Sequence, residues 1–369
     1  MKTNTPKNNH YWTVYKNLES EVLSLANVIY FDDNQLNVYS IKIAELLVRC
    51  VIEIESISKE LYFANGGTVL KDDEGKERHL LFDADCLSYL EKLWKLSKKE
   101  VNVVAANFYF SKPENMKLTP LHKANKRGSS SAIWNKAYQA VKHNRAGNLD
   151  KATIKSLIHA MAALYALNIY FRSEKFTSST VGFDTSLGSS VFSVTYCNMT
   201  GINGDDNDNR VNDTSICVLK YHDSTYKSYL TKQKEELGKM KEMLTSSQEY
   251  LSYINAGQRF TGKNLVAICG EIGSWNFANK AKVLASFEER KKFLENSQEY
   301  KYYIGNNSQC KQEITEENFD KLCSSVGAWH FQTRIVFNNQ NESMRMITKT
   351  SFEVILNKHQ RIYPELETK

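Results

Sequence analysis

The stretch Leu157-Ile-His-Ala-Met-Ala-Ala-Leu-Tyr-Ala-Leu-Asn-Ile-Tyr-Phe171 is the longest apolar run of the chain, interrupted only by His159 and Asn168. It falls short of the roughly 20 residues that a helix needs to cross a bilayer. We therefore predict a buried helix over about Lys151–Arg172, with Asp150 as its N-terminal cap. Since a histidine in such a helix is more often a hydrogen-bonded core residue than a catalytic one, we assign His159 to the core.

The chain before this run also predicts helices. Apolar residues recur at helical spacing over Tyr11–Ile29 and over about Val38–Ala64. A basic loop over residues 119–131 then precedes a short helix around Trp134 and Tyr138. The first half therefore predicts a helical bundle, and we place a domain over residues 1–175.

A polar stripe of Glu45, Arg49 and Glu53 interrupts the otherwise apolar second helix. Two interpretations of this stripe stand. The one we favour is a row of intrahelical ion pairs facing solvent, because side chains four residues apart lie on one face. The alternative places the stripe across a cleft from His143, where Glu45 or Glu53 would orient the imidazole ring.

Beyond residue 175 the composition changes, and we predict a second, α+β domain over residues 176–369. Val191–Tyr196 and Ser215–Tyr221 have β-type composition and flank a polar loop, Gly201–Asn209, which predicts a hairpin. Further predictions are two amphipathic helices, a strand, and a segment that is either strand or helix: Thr225–Tyr253, Trp275–Asn296, Phe331–Asn338 and Met346–Leu356. The whole chain is thus predicted to be mainly α.

Composition indicates a soluble globular protein, with 41% apolar and 24% charged residues among 369. The net charge of +6 permits nucleic-acid binding without requiring it. The seven cysteines are scattered and include no Cys-x-x-Cys pair, which favours free thiols in a reducing compartment. Because the N-terminus lacks the apolar core of a signal peptide, we expect a cytoplasmic protein with no membrane partner.

Two segments resemble metal-binding or nucleotide-binding motifs but lack residues that these motifs require. Gly257-Gln-Arg-Phe-Thr-Gly-Lys-Asn264 departs from the phosphate-binding loop at Asn264, where a Ser or Thr should hold magnesium. The acidic run Asp205–Asn209 lacks the Gly and Glu that a twelve-residue calcium loop requires at fixed positions. We therefore expect no cofactor and no metal, and interpret the acidic run as a solvated loop.

The strongest candidate site lies in Trp134-Asn-Lys-Ala-Tyr-Gln-Ala-Val-Lys-His-Asn-Arg145. Histidine can exchange a proton near neutral pH, and arginine offers a planar fork of donors to phosphate. Trp134 and Tyr138 would anchor the helix. The candidate catalytic residues are His143, Arg145 and Lys142. The candidate phosphate-binding residues are Lys123, Lys126, Arg127 and Lys136.

This order of basic loop, Trp-x-x-Ala-Tyr-x-x-Val-Lys-His-x-Arg and long apolar helix resembles the HEPN (higher eukaryotes and prokaryotes nucleotide-binding) superfamily. The resemblance is strongest over residues 119–172 and extends over 11–172. It implies a small helical bundle, often dimeric, and in many members a metal-independent ribonuclease of toxin–antitoxin or antiphage systems. The usual motif is an Arg followed by a polar residue, with four to six residues between the Arg and the His. Here Tyr138 and Gln139 occupy those positions, and the longer spacing reaches only Lys136.

Two functions follow as expectations. The first is an RNA-directed HEPN-like protein, acting as a metal-independent endoribonuclease or toxin in bacterial antiphage defence. His143 would exchange a proton with the ribose 2′-hydroxyl or the leaving oxygen, while Arg145 and Lys142 would stabilise the phosphorane. The alternative is a non-catalytic helical scaffold of a defence or regulatory complex. The expected partners are RNA, a second copy through the helical domain, and a protein bound by residues 176–369.

Overall fold

The computed structural model describes residues 9–128, 131–172, 176–178, 184–198, 212–306, 313–339, 341–348, 352–360 and 362–363. These residues form two compact units. The first comprises the described residues up to 198 together with 212–220 and 352–363, and the second comprises 221–348. The prediction of a mainly α-helical protein is confirmed.

The first unit contains seven α-helices among its described residues. Three further single turns, one π and two 3₁₀, occupy Phe82–Leu87, Leu96–Lys98 and Leu149–Lys151. Asn9 caps α1 and Ser40 caps α2, each accepting a hydrogen bond from a backbone N–H three residues ahead. The helices are α1 (His10–Ala26), α2 (Ile41–Ala64), α3 (Ser88–Trp94), α4 (Pro113–Met116), α5 (Ile133–His143), α6 (Arg145–Asn148) and α7 (Ile154–Arg172).

Helix α7 is the centre of the first unit, as its apolar sequence predicts. It is long and apolar enough to cross a membrane, but most of it is buried inside the protein, as in the core helix of a soluble protein. The prediction that Asp150 caps it is wrong. Asp150 lies in the preceding 3₁₀ turn and pairs with Lys151, whereas the Thr153 hydroxyl accepts a hydrogen bond from the Ser156 N–H at 3.3 Å.

The prediction that His159 is a hydrogen-bonded core residue is also wrong. The residue is half-buried on α7, and its ring has no hydrogen-bond partner among the described residues. Burial, helped by the charge of Lys155, lowers the pKa of His159 to about 4. The imidazole is therefore neutral near pH 7.

Short strands complete the first unit. The strands are β1 (Phe31–Asp32), β2 (Val101–Val103), β3 (Phe108–Tyr109), β4 (Lys117–Leu118), β5 (Phe176–Ser178), β6 (Phe192–Val194), β7 (Tyr196–Asn198), β8 (Cys217–Tyr221) and β9 (Phe352–Leu356). Strand β1 pairs with β3 in parallel, and β2 lies between β4 and β6 in an antiparallel sheet. A third sheet has the order β5-β9-β8-β7.

Strands form where the hairpin is predicted, but the pairing differs from a simple hairpin. Val191–Tyr196 is divided, because β6 joins β2 with Val194 opposite Val101, whereas β7 pairs with β8. The β7–β8 ladder is parallel, with Tyr196 opposite Cys217. The polar loop Gly201–Asn209 lies outside the described residues.

The two units do not divide at residue 175, where the sequence analysis places the boundary. The described residues within 176–198, 212–220 and 352–363 belong to the first unit. The reason is long-range packing, since Phe192, Cys217 and Val354 are buried in the same core as α7. The strands predicted for an α+β second domain therefore complete the first unit.

The described residues of the second unit beyond β8 form helices. These are α8 (Asp223–Thr245), α9 (Gln248–Asn255), α10 (Leu265–Lys282), α11 (Phe287–Asn296), α12 (Gln298–Asn306), α13 (Phe319–Ile335) and α14 (Asn341–Thr348). Each of the two predicted long helices is divided in two. The strand predicted over Phe331–Asn338 is wrong, because α13 and a 3₁₀ turn at Phe337–Asn339 occupy it.

Two glycines allow two helices of the second unit to approach each other closely. Where α10 crosses α13, a Cβ on Gly273 would lie 2.2 Å from the carbonyl oxygen of Gly327, and a Cβ on Gly327 would lie 2.4 Å from that of Gly273. Only glycine permits this approach of two backbones. The Ser274 hydroxyl strengthens the contact by donating to the Ser324 carbonyl at 2.8 Å.

Candidate nucleic-acid interface

Helix α5 is anchored by one apolar face. Trp134, Ala137, Tyr138 and Val141 recur at helical spacing and are all buried. The opposite face carries Lys136 and His143, both exposed, and exposed Lys142 lies beside the apolar face, one turn after Tyr138. Lys136 and His143 are separated by seven residues, which is two turns, so they lie on the same side about 10 Å apart along the helix axis.

The preceding loop is fixed to the same core. Leu121 and Ala124 are buried, and the indole Nε1 of Trp134 donates a hydrogen bond to the Pro120 carbonyl at 2.7 Å. The hydroxyl of Ser88 donates to the carbonyl of Asn125, also at 2.7 Å. With its apolar residues held inside, the loop presents three cations to solvent: Lys123, Lys126 and Arg127.

The cations of this region have no ion-pair partner among the described residues. Elsewhere in the first unit Arg49 pairs with Glu21, Arg78 with Asp85, and Lys98 with Asp213. By contrast, no carboxylate in the described part of the chain lies in salt-bridge distance of seven side chains that we call the basic segment: Lys123, Lys126, Arg127, Lys136, Lys142, His143 and Arg145. Their charges are therefore available to an external anion.

A simple signal in the sequence explains this absence of pairing. No Asp or Glu occurs between Glu114 and Asp150, although the chain has 42 acidic residues. The basic residues were predicted from their types, whereas the acid-free interval around them was not recognised. Such an interval concentrates positive charge that the modest net charge of the whole chain conceals.

His143 ends α5 and has little to orient it. Its side chain is exposed and has no hydrogen-bond partner among the described residues. Asn144 follows and caps α6, accepting a hydrogen bond from the Gly147 N–H at 3.0 Å, so exposed Arg145 begins a new helix. Lys142 lies over the ring of Tyr138, with Nζ 5.4 Å from its centroid. The three candidate catalytic residues thus share one short stretch of surface.

The polar stripe of α2 does not reach this stretch. The Arg49 guanidinium pairs with Glu21 of α1 at 2.6 Å. Burial raises the pKa of Tyr11 of α1, and the charge of Glu53 adds a small contribution in the same direction. Burial raises the pKa of Glu53, while Arg49 opposes this effect. Glu45 is exposed, and no described hydrogen bond or ion pair joins any of the three to His143.

Both predicted roles of the stripe are therefore corrected. It is not a row of intrahelical ion pairs, because Arg49 bonds to the neighbouring helix. It does not orient His143, because no hydrogen bond or ion pair joins the stripe to His143 among the described residues. The observed arrangement instead joins α1 to α2, where the Tyr11 hydroxyl also donates to Glu60 at 2.8 Å.

The segment that resembles a phosphate-binding loop is not flanked by the strand that such a loop follows. Gly257–Asn264 follows helix α9 rather than a strand, and the Asn264 side chain caps α10 by accepting from the Ala267 N–H at 2.8 Å. The segment that follows this loop, Leu265–Cys269, begins α10. Across the described residues, no group of three or more His, Cys, Asp or Glu side chains forms a metal site.

The basic segment can attract and hold phosphate groups, and one member of it can exchange a proton. Arginine and lysine side chains contact phosphate oxygens without reading base sequence. No carboxylate or hydrogen-bond partner of His143 lies among the described residues. No protein-family model, curated protein or solved structure matches this chain significantly. The resemblance to HEPN domains over residues 119–172 thus stays a prediction.

Proposed function

We propose that this chain is an RNA-directed protein of HEPN-like type, which holds RNA phosphates on the basic segment. The observation that carries the proposal is the acid-free interval between Glu114 and Asp150, whose exposed cations have no ion-pair partner among the described residues. Unpaired cations on a fixed helix and loop release counterions from a nucleic acid when they bind. The resemblance to HEPN domains favours RNA, and a bacterial antiphage or toxin system in the cytoplasm, as the setting.

Binding is tested with a fluorescently labelled single-stranded RNA and the triple variant Lys126→Gln, Arg127→Gln, Lys136→Gln. We expect this variant to bind RNA at least about tenfold more weakly, since each phosphate contact contributes. The control removes three exposed lysines of the second unit: Lys227→Gln, Lys241→Gln and Lys321→Gln. Equal affinities of the two triple variants would contradict the proposal.

The proposal extends to cleavage of the bound RNA by the basic segment. His143 would remove the proton of a ribose 2′-hydroxyl, or protonate the leaving oxygen, and Arg145 with Lys142 would stabilise the negative charge on the phosphorane. The test is cleavage of cellular RNA and tRNA in EDTA. Products that vanish in His143→Ala but persist in His122→Ala, an exposed histidine of the same interval, would establish it.

One observation favours the second candidate, a non-catalytic scaffold. His143 has neither a carboxylate nor a hydrogen-bond partner to fix its ring among the described residues. A scaffold would keep RNA or partner binding in His143→Ala and cleave nothing. Light scattering of the purified protein tests the proposed homodimer, and affinity capture with residues 221–350 deleted tests whether a protein partner uses the second unit.

A further inference from the structure

The second unit contains a cavity of about 690 Å³ that the proposed RNA function does not use. It is formed by the segment after α9 together with α10 and α13. Its size falls in the range of small-molecule sites. Aromatic, amide and cationic side chains all take part in its lining, and the residues that carry the argument are Tyr253, Gln258, Arg259, Glu271, Trp275, Asn279 and Lys282.

One wall of this cavity, which we call the α10 cavity, is aromatic and held in place. The rings of Tyr253 and Trp275 meet edge to face, with centroids 5.5 Å apart, and Phe260 stacks on Tyr253 at 5.3 Å. The Tyr253 hydroxyl donates to the Arg259 carbonyl at 3.2 Å, which fixes the segment that carries Arg259. Half-buried Trp275 has no hydrogen-bond partner for its indole N–H among the described residues.

The charged groups of the cavity favour an anion. Arg259 and Lys282 are exposed and have no carboxylate partner among the described residues. The one lining carboxylate, Glu271, already accepts hydrogen bonds from the hydroxyl and the backbone N–H of Thr261. The Thr261 hydroxyl, against a small effect of burial, lowers the pKa of Glu271, so it stays ionised and bound to the loop.

Two amides of the cavity are free to recognise a polar ring. The side chains of Gln258 and Asn279 make no hydrogen bond with another described residue. An amide offers both a donor and an acceptor, which matches the edge of a nucleobase. An aromatic ring provides a surface on which a base stacks, and guanidinium and ammonium groups bind phosphate.

We infer that the α10 cavity binds one nucleotide, with the base against Trp275, the base edge at Gln258 and Asn279, and the phosphate between Arg259 and Lys282. Two sources share this chemistry, a free mononucleotide and the terminal nucleotide of an RNA strand. The mode differs from that of a phosphate-binding loop, because Lys263 does not line the cavity. The inference is independent of the proposed RNA function, since its residues lie in the second unit.

Calorimetric titration of the full chain tests the inference with AMP, GMP, CMP and UMP, and with adenosine and inorganic phosphate. We expect at least one mononucleotide to bind. Its nucleoside and inorganic phosphate should each bind at least about tenfold more weakly, because each lacks one set of contacts. No saturable binding of any of the four mononucleotides at millimolar concentration would overturn the inference.

Variants then locate the site. Arg259→Gln and Lys282→Gln should each weaken mononucleotide binding about tenfold, because each removes a charged contact to phosphate. Lys263→Gln, in the same loop but outside the cavity, should leave binding unchanged. Asn279→Ala should alter the order of preference among the four bases. Unchanged affinity and unchanged preference in these variants, with circular dichroism like that of wild type, would overturn the inference.

Two further arms separate the sources and the two proposals. A short RNA with a 5′-phosphate that displaces the mononucleotide identifies the strand end as a ligand, and failure to displace it identifies the free nucleotide. Mononucleotide binding should persist in the triple variant Lys126→Gln, Arg127→Gln, Lys136→Gln. Its loss there would place the site on the basic segment and contradict the α10 cavity.

Discussion

The indole Nε1 of Trp134 donates a hydrogen bond to the carbonyl oxygen of Pro120 at 2.7 Å, and Trp134 is fully buried. This single bond joins helix α5 to the loop before it. The two elements that carry the cations are therefore linked by a buried contact, in addition to the burial of Leu121 and Ala124. A buried hydrogen bond of this kind is costly to break, because the acceptor that remains has no water to replace the lost donor.

Trp134→Phe should destabilise the protein by about 1–3 kcal/mol, since it leaves the Pro120 carbonyl unpaired and a small void. It should also weaken RNA binding, because the loop with Lys126 and Arg127 loses one of the bonds that hold it against α5. Urea unfolding measures the first effect, and RNA anisotropy measures the second. Tyr138→Phe is the control, because the Tyr138 hydroxyl has no hydrogen-bond partner among the described residues. Equal stabilities of the two variants would refute the structural role of Trp134.

Gly273→Ala should destabilise the protein by at least about 1–3 kcal/mol, because the new methyl group would overlap the Gly327 carbonyl oxygen at 2.2 Å. Gly238→Ala is the matched change on α8, where a Cβ meets no atom within 4 Å. It should stabilise the protein by up to about 1 kcal/mol, since alanine favours a helix. Chemical denaturation of both variants checks the pair, and an equal effect of the two substitutions would show that α10 and α13 do not approach so closely.

Glu19 should make stability depend on acid pH. Its carboxylate is only 1% exposed and accepts hydrogen bonds from Tyr15, Lys16, Ser189 and the backbone of the segment that follows. Burial alone would raise the pKa of Glu19, but the bonds from Lys16 and Ser189 outweigh it and lower the pKa below 4.5.

A lowered carboxyl pKa means that the unfolded chain binds the proton more tightly than the folded one. The stabilisation by Glu19 is therefore fully present well above the ordinary pKa of a glutamate and is lost as the pH falls through the folded pKa. The difference in unfolding free energy between wild type and Glu19→Gln should be largest near neutral pH and shrink in acid. Exposed Glu45→Gln serves as the control. A difference that stays constant from neutral to acid pH would contradict this account.

Local periodicity identified much of the helical structure. The prediction over Val38–Ala64 differs from α2 by three residues at one end, and the apolar run within α7 is the core of the first unit. Both helices are long and strongly patterned, which is the case in which local sequence decides the structure. The strand predicted at Phe331–Asn338 failed because apolar β-favouring residues there pack in the glycine crossing of α10 and α13.

Long-range relationships were not readable from the sequence. The pairing of Val101 with Val194 assigns β6 to the first unit, and no local pattern indicates such a partner. The bond of Arg49 to Glu21 joins two helices, whereas residue spacing suggested a bond within one. The basic segment was recognised from its residue types, but the α10 cavity was missed because its lining comes from separate parts of the chain.

The salt dependence of RNA binding tests the central claim most directly. The logarithm of the dissociation constant for a single-stranded RNA should vary linearly with that of the salt concentration. In the triple variant Lys126→Gln, Arg127→Gln, Lys136→Gln the slope should fall by about 2, because each phosphate contact on a single strand contributes about 0.7. An unchanged slope in that variant, or an equal fall in the variant Lys227→Gln, Lys241→Gln, Lys321→Gln, would contradict RNA binding by the basic segment.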